Sequence, residues 1–419
     1  MCSDSMEPSI RADILPMEYE GKNILAVKID EIAQNKKPCY YKPRGLKNGS
    51  YTRIGDRDEL MTDYEIYALQ SYNDHIFEDT RPTKRATVDD LNKEELEKYI
   101  NKVKIDKPHF AKNDFEKCLK VCGITDANNN QVYPTLAGTL IFGEYPQTFY
   151  PQLFIACVVV PGIELGDVGA LGERFVDNKR IEGTIEEMLD GAMNFLQRNM
   201  KTSVIINSNG KRTDRTEYPM EALREAVANA LIHRDYSTQT ENAYISVYMY
   251  NDRIEILNPG ALYGTNKLEK LGTATTMESR NPTIVRILEE KGSVIENRHS
   301  GIPTMIREMK KYGLPEPEFY EERNSFKVVF RNSETKLDQQ VSGQVSGQVS
   351  GQVIEQQKLV LDFCSKPRST KEIKAYLGLN SRSYIREKII KPLIDEGKLD
   401  YTNKNHISAS NQKYIAVKK

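Results

Sequence analysis

The chain has 419 residues, 59 Lys and Arg against 60 Asp and Glu, and no Trp. That length fits two to four domains. No apolar run reaches the roughly 18 residues a membrane span needs, the opening MCSDSMEPSIRADILP lacks the apolar core of a signal peptide, and six scattered Cys without a CxxC pair or a Cys/His cluster point to reduced thiols in a cytoplasmic protein and to no structural zinc. The near-zero net charge hides an asymmetry. Residues 351–419 carry 14 Lys and Arg against 7 Asp and Glu, a balance of +7, so the first 350 residues sum to −8. A basic small module on an acidic body suggests a polyanion partner for the module alone.

Residues 1–75 form a first region. Residues 23–29 (NILAVKI) alternate as a strand does, residues 37–41 and 49–56 read as strand and turn pieces, and Thr62 with Glu65 is spaced as the capping box of a helix. Residues 80–160 read as a connecting region. Residues 91–103 and 114–122 are amphipathic helices, residues 134–143 a buried helix whose small residues admit a close neighbour, and residues 153–160 a buried strand.

The next region spans 161–335 and includes an amphipathic helix at 184–200. A second helix opens near Pro219, which suits a first turn because its missing N–H costs nothing there. Leu223, Ala226, Val227, Ala230 and Leu231 make one apolar stripe, and Glu225 and Asn229, four apart, project together beside it. Residues 244–250 and 253–257 are strands flanking the turn signal Asn251-Asp252, and the second runs into Asn258-Pro259-Gly260. A helix over 281–291 follows. Gly301 leads another over 302–312, stopped by Gly313-Leu314-Pro315, and residues 325–330 are a last strand.

Residues 336–353 contain QVSGQVSGQVSGQV, whose period of four fits neither a helix face nor a heptad. It reads as a flexible or loosely extended linker, with a β-prone reading also open because Val and Ser alternate. In residues 354–419 three helices and two strands follow the plan of a winged helix-turn-helix. The third helix, 381–396, carries Arg382, Tyr384, Arg386, Lys388 and Lys391.

Glu225-Ala-Val-Ala-Asn229 resembles the first nucleotide-binding box of the gyrase–Hsp90–histidine kinase–MutL ATPases. Asn258-Pro259-Gly260 resembles a divergent second box, and Arg298-His299-Ser300-Gly301-Ile302 their later glycine box. Residues 22–67 are similar to the C-terminal half of a Schlafen-type AlbA-like domain. From about Lys22 onward the chain resembles bacterial and archaeal transcriptional regulators often called RecG-like. The resemblance implies an α+β multidomain chain: a partial AlbA-like α/β piece, a Bergerat-type α/β sandwich and a C-terminal winged helix-turn-helix. The chain is then expected to begin inside the AlbA-like domain, without the glutamate-serine motif of its N-terminal half, so the nuclease activity of some Schlafen relatives is not carried over.

The resemblance also implies ATP and Mg²⁺. Glu225 would be the general base toward the attacking water, and Asn229 would offer its amide oxygen to Mg²⁺. Asn258 stands where the superfamily has an aspartate that meets the adenine amino group, and is a neutral, weaker acceptor. Gly260 and Gly301 would let the backbone approach the nucleotide, Gly301 at a helix N-terminus suited to phosphate. The first glycine of the later box is lost to His299-Ser300. Read without the resemblance, Glu225 and Asn229 are a solvated pair beside a core stripe. His233-Arg234-Asp235 either caps the helix or faces the same pocket. No G-x-x-x-x-G-K-[ST] stretch exists, which argues against a RecA-type helicase motor. In the C-terminal module, Arg386, Lys388 and Lys391 would contact phosphates and Arg382 and Tyr384 would read bases of double-stranded DNA, with a homodimer on a two-fold site. The leading expectation is a DNA-binding transcriptional regulator with a nucleotide sensor. The alternatives are a slow ATPase acting on nucleic acid and a scaffold with a degenerate nucleotide fold.

Overall fold

The computed structural model describes residues 4–54, 57–128, 131–169, 171–206, 212–273, 277–294, 301–332, 359–377, 389–390, 393–394, 397–402 and 413–417. The chain divides into two units, Met1–Asn332 and Ser333–Lys419.

The first unit is built on a six-stranded sheet. Its strands are β1 (Ile155–Val159), β2 (Asp177–Ile181), β3 (Ile245–Met249), β4 (Arg253–Pro259), β5 (Glu318–Glu322) and β6 (Ser325–Arg331), in the spatial order β2-β1-β3-β4-β6-β5. Every neighbouring pair is antiparallel except β1 with β3, which run parallel. The Asn251-Asp252 turn closes the β3–β4 hairpin, with Tyr250 N–H donating to the Arg253 carbonyl at 2.8 Å.

One boundary expected from the sequence needs correction. The sequence places residues 153–160 at the end of a connecting region, yet β1 lies inside the sheet, and the Ile155 to Val159 register matches Ile245 to Met249 of β3. The division at 160/161 therefore cuts one sheet in two. An apolar run announces burial but not its partner, and β1's partner arrives a long way down the chain.

The longer helices follow the apolar stripes. Besides the short helices Gly45–Gly49 and Phe115–Val121, the unit has α1 (Asp63–Asn73), α2 (Lys93–Asp106), α3 (Leu136–Phe142), α4 (Ile185–Asn199), α5 (Met220–Ile232), α6 (Pro282–Lys291) and α7 (Gly301–Lys311). Capping boxes start two of them, Thr62 with Glu65 and Thr184 with Glu187. All of α3 is buried, and a Cβ on Gly138 would collide with the Ile124 carbonyl, so the small residue is what lets that backbone approach. On α5, Leu223, Ala226, Val227, Ala230 and Leu231 are all buried in the main core. Each large side chain among them contributes about 1.5–3 kcal/mol by leaving water. Pro219 stands at the N-cap, one residue ahead of the first turn.

Strands β2 and β5 and the hairpin Thr202–Ile206 with Arg212–Thr216 are not among the elements expected from the sequence. The first two are the outer strands of the sheet. Their sequences, DNKRI and EFYEE, are polar because an edge strand has one flank in water, so they carry no apolar alternation.

The second unit has its own small core of Val360, Cys364, Ile373, Ile389, Ile390, Leu393, Leu399 and Tyr414. Its helix Thr370–Leu377 begins with Ser369 and Glu372 bonded reciprocally, and three short strands form an antiparallel sheet with Lys413–Ala416 between Arg368–Ser369 and Leu399–Tyr401. The QVSG repeat and Arg382, Tyr384, Arg386, Lys388 and Lys391 lie outside the described residues. Among the described residues no helix is long and apolar enough to cross a membrane.

Candidate functional site

A cavity of about 570 Å³ opens between the sheet and the helices α5, α6 and α7. Ile256 of β4, Phe319 of β5 and Phe326 and Val328 of β6 give it an apolar floor, and Val285, Ile302 and Met305 add apolar walls. A concave, largely apolar cavity into which polar side chains converge is the usual form of a small-molecule site.

Glu225, Asn229, Asn258, Gly260 and Gly301 all line this cavity, brought together from three distant segments. Glu225 and Asn229 lie one turn apart on α5, and the Asn229 amide nitrogen donates to Glu225 Oε1 at 3.2 Å. That bond turns the amide oxygen, the better cation ligand, away from the carboxylate. Gly301, the first residue of α7, sits directly over the pair. A Cβ there would overlap Glu225 Oε1 and come within 3.0 Å of Asn229 Nδ2. A side chain at 301 would push the Glu225 carboxylate away from Asn229.

Gly260 has a structural reason of its own to be glycine. Its φ of +109° favours glycine, and a Cβ would come within 2.5 Å of Arg280 Nη1 and of Asp235 Cβ. The room at Gly260 is taken by that ion pair, whose Nη1–Oδ2 distance is 2.7 Å and both of whose partners are largely buried. Asp235 also accepts from the Tyr64 hydroxyl at 2.9 Å and from Ser237 N–H at 2.8 Å. Burial pushes the Tyr64 phenol up to about 12, with the Asp235 carboxylate acting the same way against Arg280. Through Tyr64, helix α1 reaches the rim of the cavity. Tyr72 of the same helix does so again, donating to Glu278 Oε1 at 3.1 Å and packing edge-on against Tyr263.

Asn258, at the end of β4, is 7% exposed, and its Oδ1 is buried without a hydrogen-bond partner among the described residues. A buried oxygen left unpaired costs about 1–3 kcal/mol.

His233 closes α5 as its C-cap and also lines the cavity, so both readings of the His233-Arg234-Asp235 stretch hold. The residue is exposed and lines the cavity, and desolvation there, with the nearby Arg280 acting the same way, lowers the imidazole pKa. Arg234 turns away, buried, and donates to the carbonyls of Thr240 and Ala243.

No sequence pattern points to Tyr64, Tyr263, Glu278 or Arg280 as residues of this site. At that corner α6 opens behind Asn281, its N-cap, with Pro282 in the first turn. Asn281 there is buried and donates to the carbonyls of Ile232 and Arg234 at 2.8 Å each, tying the end of α5 to the start of α6. Among the described residues the carboxylates Glu225, Glu278 and Glu289 line the cavity against the guanidinia of Arg280 and Arg286. Arg280 is paired with Asp235, and Arg286 donates to the Cys122 carbonyl. No group of three or more His, Cys, Asp or Glu able to hold a metal occurs among the described residues.

Residues 242–330 match the family model described as "Putative ATP-dependent DNA helicase recG C-terminal", so the chain carries an ATPase-like domain of the RecG C-terminal type. The matched span contains Asn258, Gly260 and Gly301 and stops short of α5 with Glu225 and Asn229. Residues 68–156 match a domain of unknown function, DUF8451. No curated protein matches the chain. Among solved structures, the DIP2311 protein from Corynebacterium diphtheriae is similar at 17% identity and a TM-score of 0.44, over 97% of this chain and 76% of that one.

Proposed function

We propose that the protein is a DNA-binding transcriptional regulator whose ATPase-like domain senses a purine nucleotide in this cavity. The observation that carries the reading is the convergence on one cavity of the Glu225–Asn229 pair under Gly301 and the unpaired Asn258 Oδ1. Asn258 would accept the base amino group, and the floor of Ile256, Phe326 and Val328 would cover the ring faces.

A bound Mg²⁺ would neutralise phosphate charge, which a pocket bearing Glu225, Glu278 and Glu289 needs. The residues present fit that group: Asn229 would hold it by its amide oxygen, kept in place by the bond to Glu225. The N–H groups at the start of α7 would bind phosphate at the helix N-terminus.

A slow ATPase is the second reading, favoured by the carboxylate of Glu225 standing beside Asn229 in the cavity. There Glu225 would take a proton from water. For the C-terminal unit, the excess of 14 cations over 7 anions in residues 351–419 supports binding to double-stranded DNA, with the protein acting as a homodimer on a two-fold site.

The deciding experiment is thermal unfolding with ATP and Mg²⁺, wild type against Asn229→Ala. Ligand at about 100 times its Kd adds roughly 2.7 kcal/mol to stability. A shift in wild type that shrinks in the variant supports the reading. No shift at millimolar nucleotide overturns it.

A further inference from the structure

The hairpin formed by Ala12–Tyr19 and Lys22–Ile29 pairs with nothing but itself among the described residues. Ile14, Leu15, Met17, Tyr19, Ile24, Leu25, Val27 and Ile29 are all exposed, Leu25 to 64%. These side chains fall on both faces of the ribbon. Ile14, Val27, Leu25 and Ile29 share one face, and Leu15, Met17, Ile24 and Tyr19 the other. A lone two-stranded hairpin is marginal in water, and one apolar on both faces calls for a neighbour.

The two edges of the ribbon are not equivalent. The turn at Glu20-Gly21 has positive φ at both residues, 51° and 74°, the geometry of a two-residue type I′ turn. Tyr19 and Lys22 are then a hydrogen-bonded pair, and the alternation turns the N–H and C=O groups of Asn23, Leu25, Val27 and Ile29 outward. The same alternation turns residue 16 of the first strand outward, and residue 16 is a proline with no N–H to give. One edge is interrupted at its centre, while the other offers an unbroken row of donors and acceptors.

We propose that the Lys22–Ile29 edge is the docking surface for a second copy of this chain, antiparallel about a two-fold axis at Ala26. In that register Leu25 meets the other copy's Val27 and Asn23 its Ile29, so every outward group of both strands is bonded. Ala26 meets Ala26 at a non-hydrogen-bonded position, where side chains approach most closely and a small residue fits. Lys22 meets Asp30, which lies just past the strand and among the described residues pairs only with Lys28, at 3.1 Å, both side chains being exposed. Sliding two residues one way would set Lys22 against Lys28, like charges face to face. Sliding the other way loses the outer hydrogen bonds. The two copies thus form a four-stranded sheet whose open edges are the proline-interrupted ones. This rests on the homodimer of the proposed regulator and supplies its interface. Its test reads mass and melting without nucleotide or DNA, so a failure of nucleotide or DNA binding leaves it standing.

The experiment is light scattering after size exclusion on the full chain at micromolar concentration. Wild type is expected at twice the chain mass. Val27→Pro removes one outward N–H and no bond within the hairpin, and is expected at one chain mass, with the melting of the body unchanged. Lys22→Glu and Asp30→Lys are each expected to shift the dimer toward monomer, and the double variant to restore it. A monomeric wild type overturns the proposal. So does a dimer that survives Val27→Pro, or a double charge reversal that fails to recover what the single ones lose.

Discussion

Replacing Asn258 by alanine separates a ligand-reading residue from a structural one. In the ligand-free protein the side chain is nearly buried and its Oδ1 is unpaired among the described residues. Its removal therefore gives up some packing and also relieves an oxygen that costs about 1–3 kcal/mol to leave unsatisfied. The two effects oppose, and the free protein should stay within about 1 kcal/mol of wild type. In the nucleotide complex the same oxygen would accept the base amino group, so the variant loses that bond outright. Affinity should weaken by about 1–3 kcal/mol, or roughly 5- to 150-fold. The assay is a pair of melting curves with and without ATP and Mg²⁺, backed by titration calorimetry. The expected pattern is an unchanged ligand-free midpoint with a collapsed ligand-induced shift. The opposite pattern, a large fall in the ligand-free midpoint with the ligand shift retained, would refute the reasoning.

Gly301→Ala should cut nucleotide affinity at least tenfold while the protein still folds, because the new methyl displaces Glu225 and breaks its 3.2 Å bond with Asn229. Calorimetry with ATP would check it. Glu225→Gln should keep binding and lose any phosphate release, measured as inorganic phosphate over hours. Arg280→Met strips the partner from buried Asp235 and should cost about 3–5 kcal/mol in urea unfolding, even though Tyr64 and Ser237 still bond the carboxylate. Asp79 gives a pH test. It is buried and accepts from the N–H groups of Thr283 at 2.7 Å and Ile284 at 3.1 Å at the start of α6. Burial nevertheless raises its pKa to about 6, against those two bonds. The folded state thus holds this proton more tightly than the unfolded chain. The contribution of this group is greatest below the ordinary carboxylate pKa, falls as pH rises through about 6, and is flat above, a loss of roughly 3 kcal/mol. Asp79→Asn keeps an acceptor and should remove that slope from melting curves taken between pH 4 and pH 8.

What the sequence determined by itself was local. The α5 stripe, the capping boxes at Thr62 and Thr184, the β3–β4 hairpin and the helix-stopping Gly313-Leu314-Pro315 are each written within a few residues, because periodicity, caps and turns depend on neighbours along the chain. The five cavity residues were legible for the same reason: each box is a short run beside a helix or strand end. Tertiary structure decided who meets whom. β1 joins β3 across some ninety residues of chain. Gly260 owes its room to Asp235 and Arg280, which lie on separate segments. Helix α1 lays Tyr64 and Tyr72 against the cavity rim from nearly two hundred residues away. No local pattern encodes such meetings. They are fixed by which apolar faces cover one another, and the polar contacts at the site are what remains to be satisfied once that burial is settled.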